Sequence, residues 1–165
     1  MIGPNLNDYF SFYDLKPLYA IDKGELKQRY FELSKQYHPD HFGDSFSHQN
    51  EAILVSTYNN KAYKTLNNDI SRAQYLVDLF HHTSEHSDST LPQDFLFEMM
   101  DINESIDEAD ETEKQTVIKK EIEGFQADIK TDIEALANQE QWQDLQIALL
   151  KWKYIERLNQ RITFS

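Results

Sequence analysis

Two stretches in which apolar residues recur at helical spacing meet at Pro39, and that one residue sets the topology of the first half of the chain. The surrounding run is Lys35-Gln36-Tyr37-His38-Pro39-Asp40-His41-Phe42. A proline ring removes a backbone donor and disfavours helical geometry at the preceding residue, so the helix entering this run has to end near His38. The helical pattern resumes beyond Phe42. The expected result is a helical hairpin that carries His38 and Asp40 on an exposed bend.

Four helices are expected in this half. Residues 7 to 15 form a short one, capped by Asn7 or Asp8 and closed by Pro17. The second spans Asp22 to Tyr37, with Asp22 as N-cap, Glu25 three residues on, and an apolar face of Leu26, Tyr30, Leu33 and Tyr37. Lys27, Arg29 and Lys35 lie off that face and point to solvent, either as an ordinary solvated surface or as a docking surface for an acidic partner. The third starts near Ser45 or Ser47, ends at Asn67-Asn68 and buries Ala52, Val55, Ala62 and Leu66. The fourth is capped by Asp69, runs to Phe80 and turns Ala73, Leu76, Val77 and Phe80 inward.

The residues around the bend resemble the J domain, the module that stimulates DnaK-type ATPases. His38-Pro39-Asp40 follows a helix with basic residues, Tyr9-Phe10 opens the chain as in that family, and Phe42 follows the loop. Arg72-Ala73-Gln74-Tyr75-Leu76 and the whole second half resemble HscB, the J protein dedicated to iron-sulfur cluster assembly. The resemblance spans essentially the whole chain. It implies a co-chaperone rather than an enzyme, one that stimulates an HscA-like ATPase and delivers the scaffold protein IscU to it. The chaperone-binding residues it implies are His38, Pro39, Asp40, Lys27, Arg29 and Lys35.

Composition narrows the alternatives. The 165 residues are 39% hydrophobic and hold four Gly and four Pro, with no period-two alternation, which predicts an all-α fold. No run of eighteen apolar residues and no basic-then-apolar N-terminus is present, so neither a membrane span nor a signal peptide is expected and a cytoplasmic location is. The absence of Cys excludes disulfides, thiolate metal sites and cysteine nucleophiles. Of the net charge of −13, residues 1 to 80 hold 8 cations against 10 carboxylates and residues 81 to 165 hold 8 against 19. A second half so acidic repels phosphate backbones and anionic lipids, so neither nucleic acid nor membrane is an expected partner.

Periodicity is lost over residues 81 to 91, the expected linker between a J domain over 1 to 80 and a bundle over 92 to 165. His82 and His86 are four apart, but the segment is Ser/Thr-rich with no third ligand placed, so no metal and no cofactor is expected. Beyond it, Thr90-x-x-Gln93 with Pro92 in the first turn signals a helix to about Ala109. Asp110 or Thr112 opens a second, striped by Ile118, Ile122, Phe125, Ile129, Ile133 and Leu136. Asn138-x-x-Gln141 restarts the chain into a third with Trp142, Leu145, Leu149, Trp152, Ile155, Leu158 and Ile162. Short connections between three amphipathic helices predict a three-helix bundle.

The first bundle helix has an apolar face too many. With Phe95 at zero and ~100° per residue, Met99, Ile102 and Ile106 fall within about 40° of it. Phe97, Met100, Asp101, Glu104 and Glu108 lie at ~140° to 240°, with Leu96 at the border. An aromatic and a methionine among carboxylates, turned from the core, have the composition of an interface. The HscB resemblance implies that Leu96, Phe97, Met100, Asp101, Glu104 and Glu108, joined by Tyr154, bind the scaffold. No catalytic constellation is visible. Two rivals remain: a general J protein for unfolded clients, and a metal-binding or hydrolytic protein built on His38, Asp40 and His41.

Overall fold

A computed structural model describes residues 4–38, 46–81, 90–109 and 112–163. Seven helices follow in order: α1 Tyr9–Phe12, α2 Lys23–Gln36, α3 Phe46–Asn67, α4 Asp69–Phe80, α5 Gln93–Asp107, α6 Thr112–Asn138 and α7 Trp142–Thr163. The described residues hold no strand, and the fold is all-α. The chain divides into two compact units, Met1–Leu76 and Val77–Ser165. Most of the expected linker, including His82 and His86, lies outside the described residues, as do Pro39, Asp40, His41 and Phe42.

In the first unit α2 packs along α3. Asn60 meets Tyr30, while Glu51, nine residues earlier, lies near Tyr37, so the two helices run antiparallel. Ala52, Val55, Ala62 and Leu66 are buried as their spacing requires, as is Leu26 opposite them. Asp22 caps α2 by accepting from the Gly24 and Glu25 amides. Helix α1 is shorter than expected. Asp8 caps it, and Asp14 at φ 49° turns the chain out, with the Leu15 amide reaching back to the Phe10 carbonyl. Helix α4 is capped by Asn68, whose Oδ1 accepts from the Ser71 amide, and not by Asp69. Phe80, expected to face inward, is exposed and stacks on Trp142 within the second unit.

Two buried polar residues tie the first unit together. Asn59 donates to the Tyr30 carbonyl at 3.1 Å and to Ser34 at 2.9 Å, and its Oδ1 lies 2.6 Å from the Tyr13 hydroxyl. Burial, with Tyr30 and Tyr63 nearby, raises the Tyr13 pKa, so this hydroxyl stays a donor. Arg72 is buried and donates to the Tyr19 carbonyl at 2.7 Å, the Leu66 carbonyl at 2.6 Å and Asp69 at 2.8 Å. Its guanidinium lies over the Tyr19 ring, 4.8 Å from the centroid. Lys23 approaches the same Asp69 oxygen at 2.7 Å.

Burial raises the Asp69 pKa, but hydrogen bonds and charge from Lys23 and Arg72 outweigh it and hold the carboxyl below its ordinary value. A carboxyl depressed by folding stabilises the native state fully above its unfolded value of about 3.9, and the contribution disappears as pH falls through the folded value. Asp69→Asn is therefore expected to lower the melting temperature at neutral pH and to leave it nearer wild type at the acid end. Melts recorded across the acid range check this, and parallel curves at every pH would refute it.

In the second unit α6 pairs with α7 over their length and α5 lies against both. Phe95 meets Tyr154, and Asp107 meets Arg161 at 2.7 Å, so α5 and α7 run parallel with α6 antiparallel between them in direction. The core holds Phe95, Met99 and Ile102 from α5, Ile118, Ile122, Ile129 and Ile133 from α6, and Leu145, Leu149, Ile155 and Leu158 from α7. Two local signals were misleading. Pro92 occupies the N-cap of α5 rather than its first turn, with ψ at 143° and no side-chain cap, so the Thr90 box does not form. Asn138 ends α6 instead of opening α7. The Gln141 amide bonds the Leu136 carbonyl, the Glu140 amide bonds the Ala137 carbonyl, and Glu140 sits at φ 57°. That is a Schellman cap with glutamate where glycine is preferred. Glu140→Gly is expected to stabilise the bundle by about 0.5 to 1 kcal/mol in chemical denaturation, since a left-handed residue with a Cβ is strained. A loss of stability would contradict the cap.

Candidate functional site

Helix α5 is built with two faces of opposite use. Phe95, Met99 and Ile102 anchor it in the bundle, while Phe97 and Met100 stand 66% and 61% exposed. Asp101, Glu104 and Glu108 are exposed beside them, and Leu96 and Ile106 are half-buried. Residues 93 to 108 contain no Lys or Arg, so every charge that α5 itself places beside the apolar pair is negative. The cost of leaving two such side chains in water gives the face its driving force: each covered on binding returns the free energy of its apolar area. A partner suited to it presents an apolar patch with cations around it.

Tyr154 on α7 is placed differently from the α5 residues expected to share a binding face with it. It is half-buried, and its ring packs edge-on against the buried Phe95, 6.0 Å between centroids. Lys151 Nζ lies over the Phe95 ring, 5.3 Å from its centroid. Tyr154 thus supports α5 from beneath, and the exposed patch itself is made by α5.

In the first unit Lys27 and Lys35 are exposed on α2, and His38 is exposed just beyond its end. Arg29 departs from the expectation that all three cations point freely to solvent. Its guanidinium bonds Glu25 Oε1 at 2.8 and 3.1 Å and Asp14 Oδ2 at 3.2 Å. The i,i+4 spacing to Glu25 and the turn at Asp14 bring two carboxylates to it, so its charge is largely met within the chain. An exposed side chain that the residue-type reading passed over takes its place: Phe31, 57% exposed between Lys27 and Lys35. Its signal was available, because Phe31 lies one helical turn from each lysine.

The chain as a whole is similar to known proteins. The profile of the HSCB C-terminal oligomerisation domain covers residues 91–163. The co-chaperone protein HscB homolog of Chromobacterium violaceum is 31% identical over 131 residues, 78% of this chain and 75% of that protein. The iron-sulfur cluster co-chaperone protein HscB of Homo sapiens is 29% identical over 157 residues, 94% of this chain and 67% of the human protein. The crystal structure of human co-chaperone protein HscB superimposes with a TM-score of 0.85 at 28% identity, covering 99% of this chain and 85% of that one. A two-unit all-α chain whose second unit carries this bundle is of the co-chaperone class. It belongs to the HscB family.

Proposed function

We propose that the chain is a co-chaperone that stimulates the ATPase of an HscA-like, DnaK-type chaperone and delivers an IscU-like iron-sulfur scaffold protein to it. The observation that carries this reading is the exposed Phe97–Met100 face, held rigidly by a buried stripe on the same helix and surrounded by carboxylates. The human relative, an iron-sulfur cluster co-chaperone by name, supports the choice of partners. In this reading residues 1 to 80 act as the J domain and 92 to 165 as the scaffold-binding bundle, joined by 81 to 91. His38, Pro39 and Asp40 engage the ATPase, with Lys27 and Lys35 beside them and Arg29 chiefly bracing α2.

The chain needs no chemistry of its own for this. The J domain has to prefer one conformer of the ATPase by a few kcal/mol to shift its population, and the bundle raises the local concentration of scaffold at the moment of that shift. The proposal extends to a cytoplasmic location and to partners that are proteins, not nucleic acid or lipid; no described helix is long and apolar enough to cross a membrane. The test is a steady-state ATPase assay of an HscA-like chaperone with the purified chain, with and without an IscU-like scaffold. Stimulation by the chain alone and a further increase with scaffold are expected. No stimulation in either case would end the reading.

A further inference from the structure

Helix α2 has a solvent face with a composition that a merely solvated helix does not need. With Phe31 at zero, Lys27 and Lys35 lie within about 40° on either side and Gly24 within about 20°, whereas Arg29 lies ~160° away. No carboxylate of α2 falls within about 60° of Phe31; the nearest residues at that angle are Gln28 and Ser34. Phe31 is 57% exposed, and neither lysine is ion-paired among the described residues. In a chain of net charge −13, a carboxylate-free stripe with a large ring between two cations is a local reversal of sign. The stripe leads toward His38, two residues beyond the last turn of the helix.

We infer that Phe31 is the apolar anchor by which α2 docks on the DnaK-type ATPase, entering an apolar depression on that protein that is rimmed by carboxylates facing Lys27 and Lys35. The inference rests on the co-chaperone reading and refines it. It divides the docking surface by kind of force. The lysines act through charge over about 10 Å at ordinary ionic strength, chiefly on the association rate, and fade with salt. The ring acts through desolvation at the centre of the contact, which salt does not screen. Arg29, turned to the other side of the helix and held by Glu25 and Asp14, is a brace and not a contact.

The experiment titrates the full chain, Phe31→Ala, Lys27→Ala/Lys35→Ala and Arg29→Gln into a purified HscA-like ATPase at low and high salt, with a melt of each variant. Phe31→Ala is expected to raise the half-maximal concentration about tenfold at both salts, to leave the maximal stimulation and the melt unchanged, and to be rescued by Phe31→Leu. The double lysine variant is expected to lose affinity mainly at low salt. Arg29→Gln is expected to lower the melt while leaving affinity near wild type. Wild-type affinity in Phe31→Ala overturns the anchor while wild-type stimulation leaves the co-chaperone reading standing; absence of stimulation by the wild type overturns both. Sedimentation decides against the other occupant. A wild-type dimer that Phe31→Ala turns into monomers would assign the ring to a second copy of the chain and overturn the inference.

Discussion

Asp40→Asn and His38→Gln are each expected to abolish ATPase stimulation by the full chain while leaving its helical circular dichroism and melting temperature within error of wild type. A proline disfavours helical geometry at the residue before it, and α2 has already ended at Gln36 when the chain reaches His38. His38 is exposed in the structure, and substitutions at exposed loop positions away from caps and cores ordinarily change stability by less than about 0.5 kcal/mol. The loss therefore reads out contact with the ATPase alone. Asp40→Asn keeps the size of the side chain and removes only its charge, which tests whether a carboxylate meets a cationic group of the partner. Scaffold binding by the bundle is expected to persist in both variants. Full stimulation by either variant would remove the J-domain assignment.

How far the sequence carried this depended on whether a feature is local. The buried stripes of α3, α5, α6 and α7 follow from helical period, and Ala52, Met99, Ile133 and Leu149 lie where the period puts them. The exposed face of α5 was legible for the same reason: a wheel separates Phe97 from Phe95 without any knowledge of the neighbours. Helix ends were less legible. Asp69, Thr90 and Asn138 are all capping residue types, yet Asn68, Pro92 and the Schellman turn at Glu140 occupy the ends, because a one-residue shift in chain direction moves the cap. The polar ties were not legible at all. Asn59 and Arg72 are residue types that usually face water, and their partners Tyr13, Tyr30 and Tyr19 lie far away in the chain. Only the folded hairpin makes Arg72 a buried cation that closes three segments together, and only it shows that Arg29 has spent its charge on Asp14 and Glu25.

The second large effect is expected at α5, where Phe97→Ala with Met100→Ala should weaken scaffold binding at least a hundredfold, about 3 kcal/mol, without disturbing the bundle. Both side chains are mostly in water in the free protein, so truncating them removes apolar area that matters only once a partner covers it. Binding energy in such contacts concentrates in a few large central groups, and Phe97 and Met100 are the two large apolar groups most exposed on this face. Asp101, Glu104 and Glu108 are expected to matter less singly, through association rate and the rejection of acidic partners, and their effect should shrink as salt rises. The control lies on the same helix. Phe95 and Ile102 are buried, and replacing either with Ala should cost about 2 to 5 kcal/mol of bundle stability as a cavity mutation. Because Tyr154 packs on Phe95, Tyr154→Ala should lower stability and scaffold affinity together, unlike the double variant. ATPase stimulation without scaffold should survive Phe97→Ala/Met100→Ala, and the increment that scaffold adds should vanish. Calorimetry of scaffold binding beside a melt of the same variant separates the outcomes: unchanged affinity, or a melt that falls as far as that of Phe95→Ala, would make this face ordinary packing and withdraw the scaffold from the proposal.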